Sequence, residues 1–192
     1  MSKLYLRGDT GALRLVNDTG TDMDVSGGIG WLAYSNTAAS TAVTASSSET
    51  MFSTNYTVPA NYLEAGTLVK VHFQGIATAT NSTDTLTIKM YIGGLSGTAI
   101  LTSSATDATN NDIFEGEVQI LVRTAGASGT FVAKGGFTKV EAASGTATRV
   151  IAITPSTTID TTATQQIGVS ATWSTNNAGN SCRLDIMTVE IY

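Results

Sequence analysis

Among its 192 residues the chain has one cysteine, one histidine, two prolines and only 13% charged residues. The single Cys182 excludes an intrachain disulfide and a cysteine-rich zinc site. It opens the last apolar run, before Arg183-Leu184-Asp185-Ile186, and is expected to pack as a small core hydrophobe. The single His72 excludes a multi-histidine metal centre, and no serine stands in a nucleophile elbow that would give it a triad. Ten Lys and Arg against fifteen Asp and Glu, a net charge of −5, leave no clustered cations for phosphate, so nucleic acid is not an expected partner. No apolar run reaches the roughly 18 residues of a membrane span, and the N-terminal Met1-Ser2-Lys3-Leu4-Tyr5-Leu6-Arg7 lacks the apolar core of a signal peptide. The expectation is a protein made and used without secretion.

What the chain has in quantity is threonine, roughly a sixth of all residues. Threonine suits the solvated face of a strand, being β-branched, uncharged and able to hydrogen-bond across strands. A surface so poor in charge fits a protein held in a symmetric assembly or on a particle.

Alternation with a period of two runs through most of the chain and predicts half-buried antiparallel strands. Met51 to Val58 stops at Pro59-Ala60-Asn61. Leu68 to Ile76 sets Leu68, Lys70, His72 and Gln74 against Val69, Val71, Phe73 and Gly75. Leu86, Ile88, Met90 and Ile92 alternate with threonines, Lys89 and Tyr91, and Gly93-Gly94 closes the run. Asp112 to Thr124 is the longest strand, and Thr130 to Val140 returns from the turn at Gly126-Ala127-Ser128-Gly129. Thr146 to Thr154, Gln165 to Ser174 with Trp173 inward, and Ser181 to Tyr192 complete about eight or nine strands. The spacing predicts an all-β chain: an antiparallel, jelly-roll-like β-sandwich over 49–192. Residues 1–48 are read as an arm and linker. Lys3–Arg7 and Ala12–Val16 form a short β-hairpin, and Ser35 through Ser48, all small or uncharged, form the linker.

Candidates for chemistry are few. Asp18, Asp22 and Asp24 with Thr19 and Thr21 offer oxygens to a calcium ion, but the glycine and the closing glutamate of an EF-hand loop are missing, and turn acids are the simpler reading. Glu115 and Glu117 share one strand face, which reads as a solvated face or a subunit contact rather than an acid pair for glycoside hydrolysis. Gly93-Gly94 and Gly135-Gly136 read as turn or bulge glycines, not phosphate loops. No enzyme, cofactor or metal site is expected.

Five segments resemble a family of tailed-phage virion proteins with a jelly-roll domain. They are Glu49-Thr50-Met51-Phe52 leading to Tyr56-Thr57-Val58-Pro59-Ala60-Asn61-Tyr62-Leu63; Leu86-Thr87-Ile88-Lys89-Met90-Tyr91-Ile92-Gly93-Gly94; Glu117-Val118-Gln119-Ile120-Leu121-Val122-Arg123-Thr124-Ala125-Gly126; Ile159-Asp160-Thr161-Thr162 with Ile167-Gly168-Val169-Ser170-Ala171-Thr172-Trp173-Ser174; and Asn180-Ser181-Cys182-Arg183-Leu184 with the terminal strand. The resemblance covers about residues 49–192. It implies a capsid decoration (cement), head-fibre or tail-associated protein, often a homotrimer, whose partners are the major capsid protein and its own copies and whose place is the capsid surface of the virion. The arm would then attach to the capsid, with Leu4, Tyr5, Leu6, Arg7, Leu13, Leu15, Trp31 and Tyr34 as the expected contact residues. The alternative is a head-fibre or tail-tip module recognising a host-surface glycan, for which Asp107, Asn110, Asn111 and Asp112 mark a candidate end of the sandwich.

Overall fold

Period-two alternation needs two surfaces to cover it, and the chain supplies them as two facing sheets. The computed structural model describes residues 3–6, 13–16, 22–24, 31–81 and 83–192. At the N-terminus β1 (Lys3–Leu6), β2 (Leu13–Val16) and β3 (Asp22–Asp24) form a three-stranded antiparallel sheet in the order β1-β2-β3. The expected hairpin is there, with Leu4 opposite Leu15 and Leu6 opposite Leu13, and a third strand extends it.

The rest is the sandwich. Its elements are β4 (Trp31–Ser35), β5 (Val43–Thr44), β6 (Thr50–Val58), β7 (Leu68–Thr78), β8 (Thr85–Ile92), β9 (Thr98–Thr102), β10 (Thr106–Asp107), β11 (Asp112–Thr124), β12 (Gly129–Val140), β13 (Ala147–Ile159), β14 (Gln165–Trp173) and β15 (Ser181–Ile191). The smaller sheet has the order β10-β8-β14-β6, with β9 also on β8. The larger has the order β13-β12-β11-β7-β15-β4, with β5 also on β15. The chain crosses between sheets at β5–β6, β6–β7, β7–β8, between β10 and β11, and at β13–β14 and β14–β15. All ladders are antiparallel, and the result is a jelly-roll-like sandwich.

The inward positions are those the alternation marks. Val69, Val71 and Phe73 of β7 face Ile88 and Met90 of β8 and Val169 and Trp173 of β14 across one continuous core, all essentially without solvent exposure. Each such side chain stabilises the fold by about 1.5–3 kcal/mol. Cys182 is buried in the same core, and burial pushes its thiol well above the usual range, as a core residue rather than a nucleophile requires.

The structure pairs parts of residues 31–48, expected as the end of the arm and the Ser35–Ser48 linker, with the sandwich. β4 pairs with the last strand from Trp31 opposite Ile191 to Ser35 opposite Thr188, and β5 pairs with its start. Val43 is buried, and its carbonyl accepts the Trp173 indole N–H at 3.3 Å. A buried indole needs an acceptor, and the small-residue segment supplies it. Two further expectations change. The strand expected over Thr146 to Thr154 does not stop before Pro155: β13 continues to Ile159, and the register shift opposite Phe131 and Ala133 absorbs the residue that cannot donate. Gly135 and Gly136 lie inside β12, opposite Val118 and Glu117, not in a turn. A Cβ on Gly135 would press on Val118 and Leu101, so this glycine keeps the sheets close.

Candidate interaction surfaces

Leu4, Tyr5 and Leu6 fall in β1 and Leu13 and Leu15 in β2, so the backbone brings these five expected contact residues into one sheet. Arg7 lies outside the described residues. So do Asp18, Thr19 and Thr21 of the calcium alternative, whose other two acids, Asp22 and Asp24, sit in β3. Trp31 and Tyr34 belong to the sandwich. Tyr34 packs on Tyr56 with ring centroids 5.8 Å apart, and Trp31 on Tyr62 at 6.1 Å, so two aromatic pairs close the side of the sandwich between β4 and the loop and strand of the smaller sheet. Tyr34 is half-buried against the core, whereas Trp31 keeps 50% of its surface exposed.

The end near Asp107 is built for stability. Lys139 occupies an inward position of β12, where alternation predicts an apolar residue, and pairs with Asp112 of β11 at 2.9 Å with both side chains essentially buried. The Lys139 ammonium also donates to the Asp107 carbonyl, while the Thr109 backbone N–H (2.9 Å) and hydroxyl and the Ala142 N–H (3.0 Å) donate to the Asp112 carboxylate. Burial pushes the Asp112 carboxyl up, but the hydrogen bonds from Thr109, Lys139 and Ala142 outweigh it and hold it below the usual range. The pair ties the loop before β11 to the loop after β12, and its oxygens are already satisfied. Of the four residues expected to mark a glycan-binding end, Asp112 is thus taken up inside the fold, Asn110 and Asn111 are exposed, and Asp107 keeps a buried side-chain oxygen without a hydrogen-bond partner. The neighbouring loop has a matching device: Asn177 and Asn180 donate to Asp84 at 3.1 and 3.0 Å.

The two outer faces differ. That of the smaller sheet is hydroxyl-rich and carries a closed network, in which Lys89 donates to Glu49 at 2.9 Å and Ser170 donates to its other oxygen at 2.6 Å. That of the larger sheet is mixed and open. Glu115 and Glu117 stand side by side on β11, Glu117 opposite His72 on one side and Gly136 on the other. Gly136 has no side chain to fill the space, and a basin of about 570 Å³ opens there between His72, Glu115, Glu117, Thr138 and Arg149. His72 is half-buried on this outer face, where the alternation places it. Further along the same face, Leu68, Leu121, Val132, Ile153 and Pro155 line an apolar hollow of about 410 Å³ with Arg123 and Lys134 at its rim. The sequence marked the carboxylates but not this hollow. Its residues are spread over four strands and meet only through register. Among the described residues no group of three His, Cys, Asp or Glu side chains is placed to hold a metal ion.

No family model matches the chain, and no curated protein does. Among solved structures it is similar to lectin II of Ulex europaeus complexed with galactose, at 9% identity over 100% of this chain and 98% of that one, with a TM-score of 0.37. It is similar to lectin I of Ulex europaeus in complex with the methyl glycoside of α-L-fucose, at 10% identity over 100% and 90%, with a TM-score of 0.39. A chain of infectious bursal disease virus, Gx strain, is similar at 17% identity over 98% of this chain and 36% of that one, with a TM-score of 0.34. Scores at this level are too low to assign a function.

Proposed function

We propose that this chain is a structural protein of a tailed-phage virion, a capsid decoration (cement) protein. It binds the capsid exterior as a homotrimer and stabilises the head. The observation that carries this reading is the N-terminal three-stranded sheet. Its ladders join only its own strands among the described residues, and it offers two edges, β1 and β3, for a partner strand. Strands of three and four residues are marginal alone in water and gain stability by adding to another sheet. The five segments over residues 49–192 that resemble tailed-phage jelly-roll virion proteins, and the threonine-rich, charge-poor composition, support the same reading.

The mechanism is mechanical. A trimer seated where capsid subunits meet spreads its contacts over several of them, and weak contacts repeated about one symmetry axis add as avidity. Shell opening then has to break all of them together. The sandwich is the body that spaces the attachment sheets, and no chemical step is asked of it.

Co-sedimentation with capsids lacking the protein tests this. The full chain is expected to bind at high copy, and a chain starting at Trp31, which keeps β4 and β5 in the sandwich, is expected not to bind. Leu4→Asp with Leu13→Asp in the full chain should lose binding likewise. Capsid binding that survives both changes rejects the arm as the attachment device. Folded protein that never sediments with capsids rejects the cement reading and brings the receptor-binding alternative forward.

A further inference from the structure

The larger sheet ends in two edges, β13 on one side and β4 with β5 on the other, and among the described residues neither edge has a further strand paired to it in a ladder. Every neighbouring pair along β13-β12-β11-β7-β15-β4 is antiparallel. Across those six strands the direction therefore reverses, so β13 and β4 run opposite ways. If two copies stand side by side, head to tail, β4 of one meets β13 of the next as an antiparallel pair, the geometry in which strands join a sheet.

The register ties the two edges together. One cross-strand row runs Ile153, Lys134, Gln119, Lys70, Glu190, Leu32 from one edge to the other. Both ends of this row are large apolar side chains left in water: Ile153 is 77% exposed and Leu32 56%, with Ile151, two residues along β13, at 58%. Natural sheets guard open edges with lysines or other charges. Here residues 31–48 carry no charge and residues 150–159 carry none, and Arg149 is the one charge on β13. In a chain of net charge −5, these are two surfaces that approach a second copy without like charges meeting.

We infer that a second copy of this chain covers each edge. The β4 edge of one copy adds to residues 147–153 of β13 in the next, Leu32 lies beside Ile153 across the contact, and repetition of this heterologous contact closes a ring. Pro155 and the register shift beside it end the accepting stretch. This deepens the homotrimer of the proposed function and rests on that reading for the number of copies; the contact itself rests on the two edges.

Sedimentation velocity of the purified full chain, with Ile153→Glu, Leu32→Arg and the two combined, tests the contact. Thermal melts followed by circular dichroism check that each variant is folded, and Ile153, being so exposed, tolerates the change. The wild-type chain is expected to be an oligomer. Each single change should weaken self-association by about tenfold or more, and the double change should restore much of it because opposite charges then meet across the contact. A monomeric wild-type chain overturns the inference. So does an oligomer indifferent to either single change, or one that only Ile153→Glu disrupts and the second change does not rescue, which would mark a two-fold contact of β13 with itself. Capsid binding measured in parallel separates the two readings. A ring that ignores capsids sinks the cement reading alone, and a monomer that binds them sinks the ring and the homotrimer but leaves capsid attachment standing.

Discussion

Lys139 and Asp112 occupy core positions that strand alternation reserves for apolar side chains, and they are tolerated there because each meets the other and the surrounding loop donors. Removing one partner leaves a buried charge without compensation. Lys139→Met is expected to lower the free energy of unfolding by about 3–5 kcal/mol, measured by urea denaturation. The acid limb follows from the same chemistry. Hydrogen bonds hold the carboxyls of Asp112, Asp84 and Asp160 below their ordinary value. A carboxyl lowered in the folded state contributes stability that is fully present above its unfolded pKa, about 3.9, and lost as pH falls through the folded value. Stability should therefore be level from pH 7 down to about 5 and decline below about 4. A decline that instead begins between pH 6 and 7 would place its source elsewhere. None of this was legible in the sequence, where Asp112 stood as the first residue of the longest strand and as one of four residues marking a candidate glycan-binding end, and Lys139 as an ordinary member of its strand.

At the level of elements, β7 and β11 show why two glycines sit inside long strands. Gly116 lies opposite Phe73 and Gly75 opposite Phe114 in the β7–β11 ladder, and a Cβ on either glycine would run into the facing phenyl ring. Each ring lies over the gap that the glycine leaves, which offsets the weakness of glycine in a strand. Gly116→Val is expected to cost about 1–3 kcal/mol or more through overpacking, and Gly136→Ala, whose added Cβ meets nothing, to be close to neutral in the same thermal-melt series. The long strands were legible because alternation over eight or more residues is a strong signal. β4 and β5 were not. β5 lies in a stretch of serine, threonine and alanine with no alternation to read, and β4 is only five residues long; the edge of β15, the core place taken by Val43 and the carbonyl that the Trp173 indole requires give them a reason to become ordered.

For the whole molecule, the larger sheet includes β4 and β5, which lie ahead of Glu49 in the chain. A chain of residues 31–192 is expected to melt close to the full-length sandwich, whereas a chain of residues 49–192 should melt lower, because it uncovers β15, removes Val43 from the core and leaves the Trp173 N–H without its carbonyl. Equal melting of the two would mean that β4 and β5 contribute nothing to the fold. The sequence by itself determined that the chain is all β, which faces of its long strands turn inward, and that Cys182 and Trp173 are core residues. These follow from period-two burial and from residue chemistry, which act locally. Tertiary structure alone decided the strand order in each sheet, the buried Lys139–Asp112 pair, the recruitment of residues 31–48, and the row that sets Ile153 and Leu32 at opposite edges of one sheet. Each of these depends on which distant segments lie side by side, and that is fixed only when two sheets close over a common core.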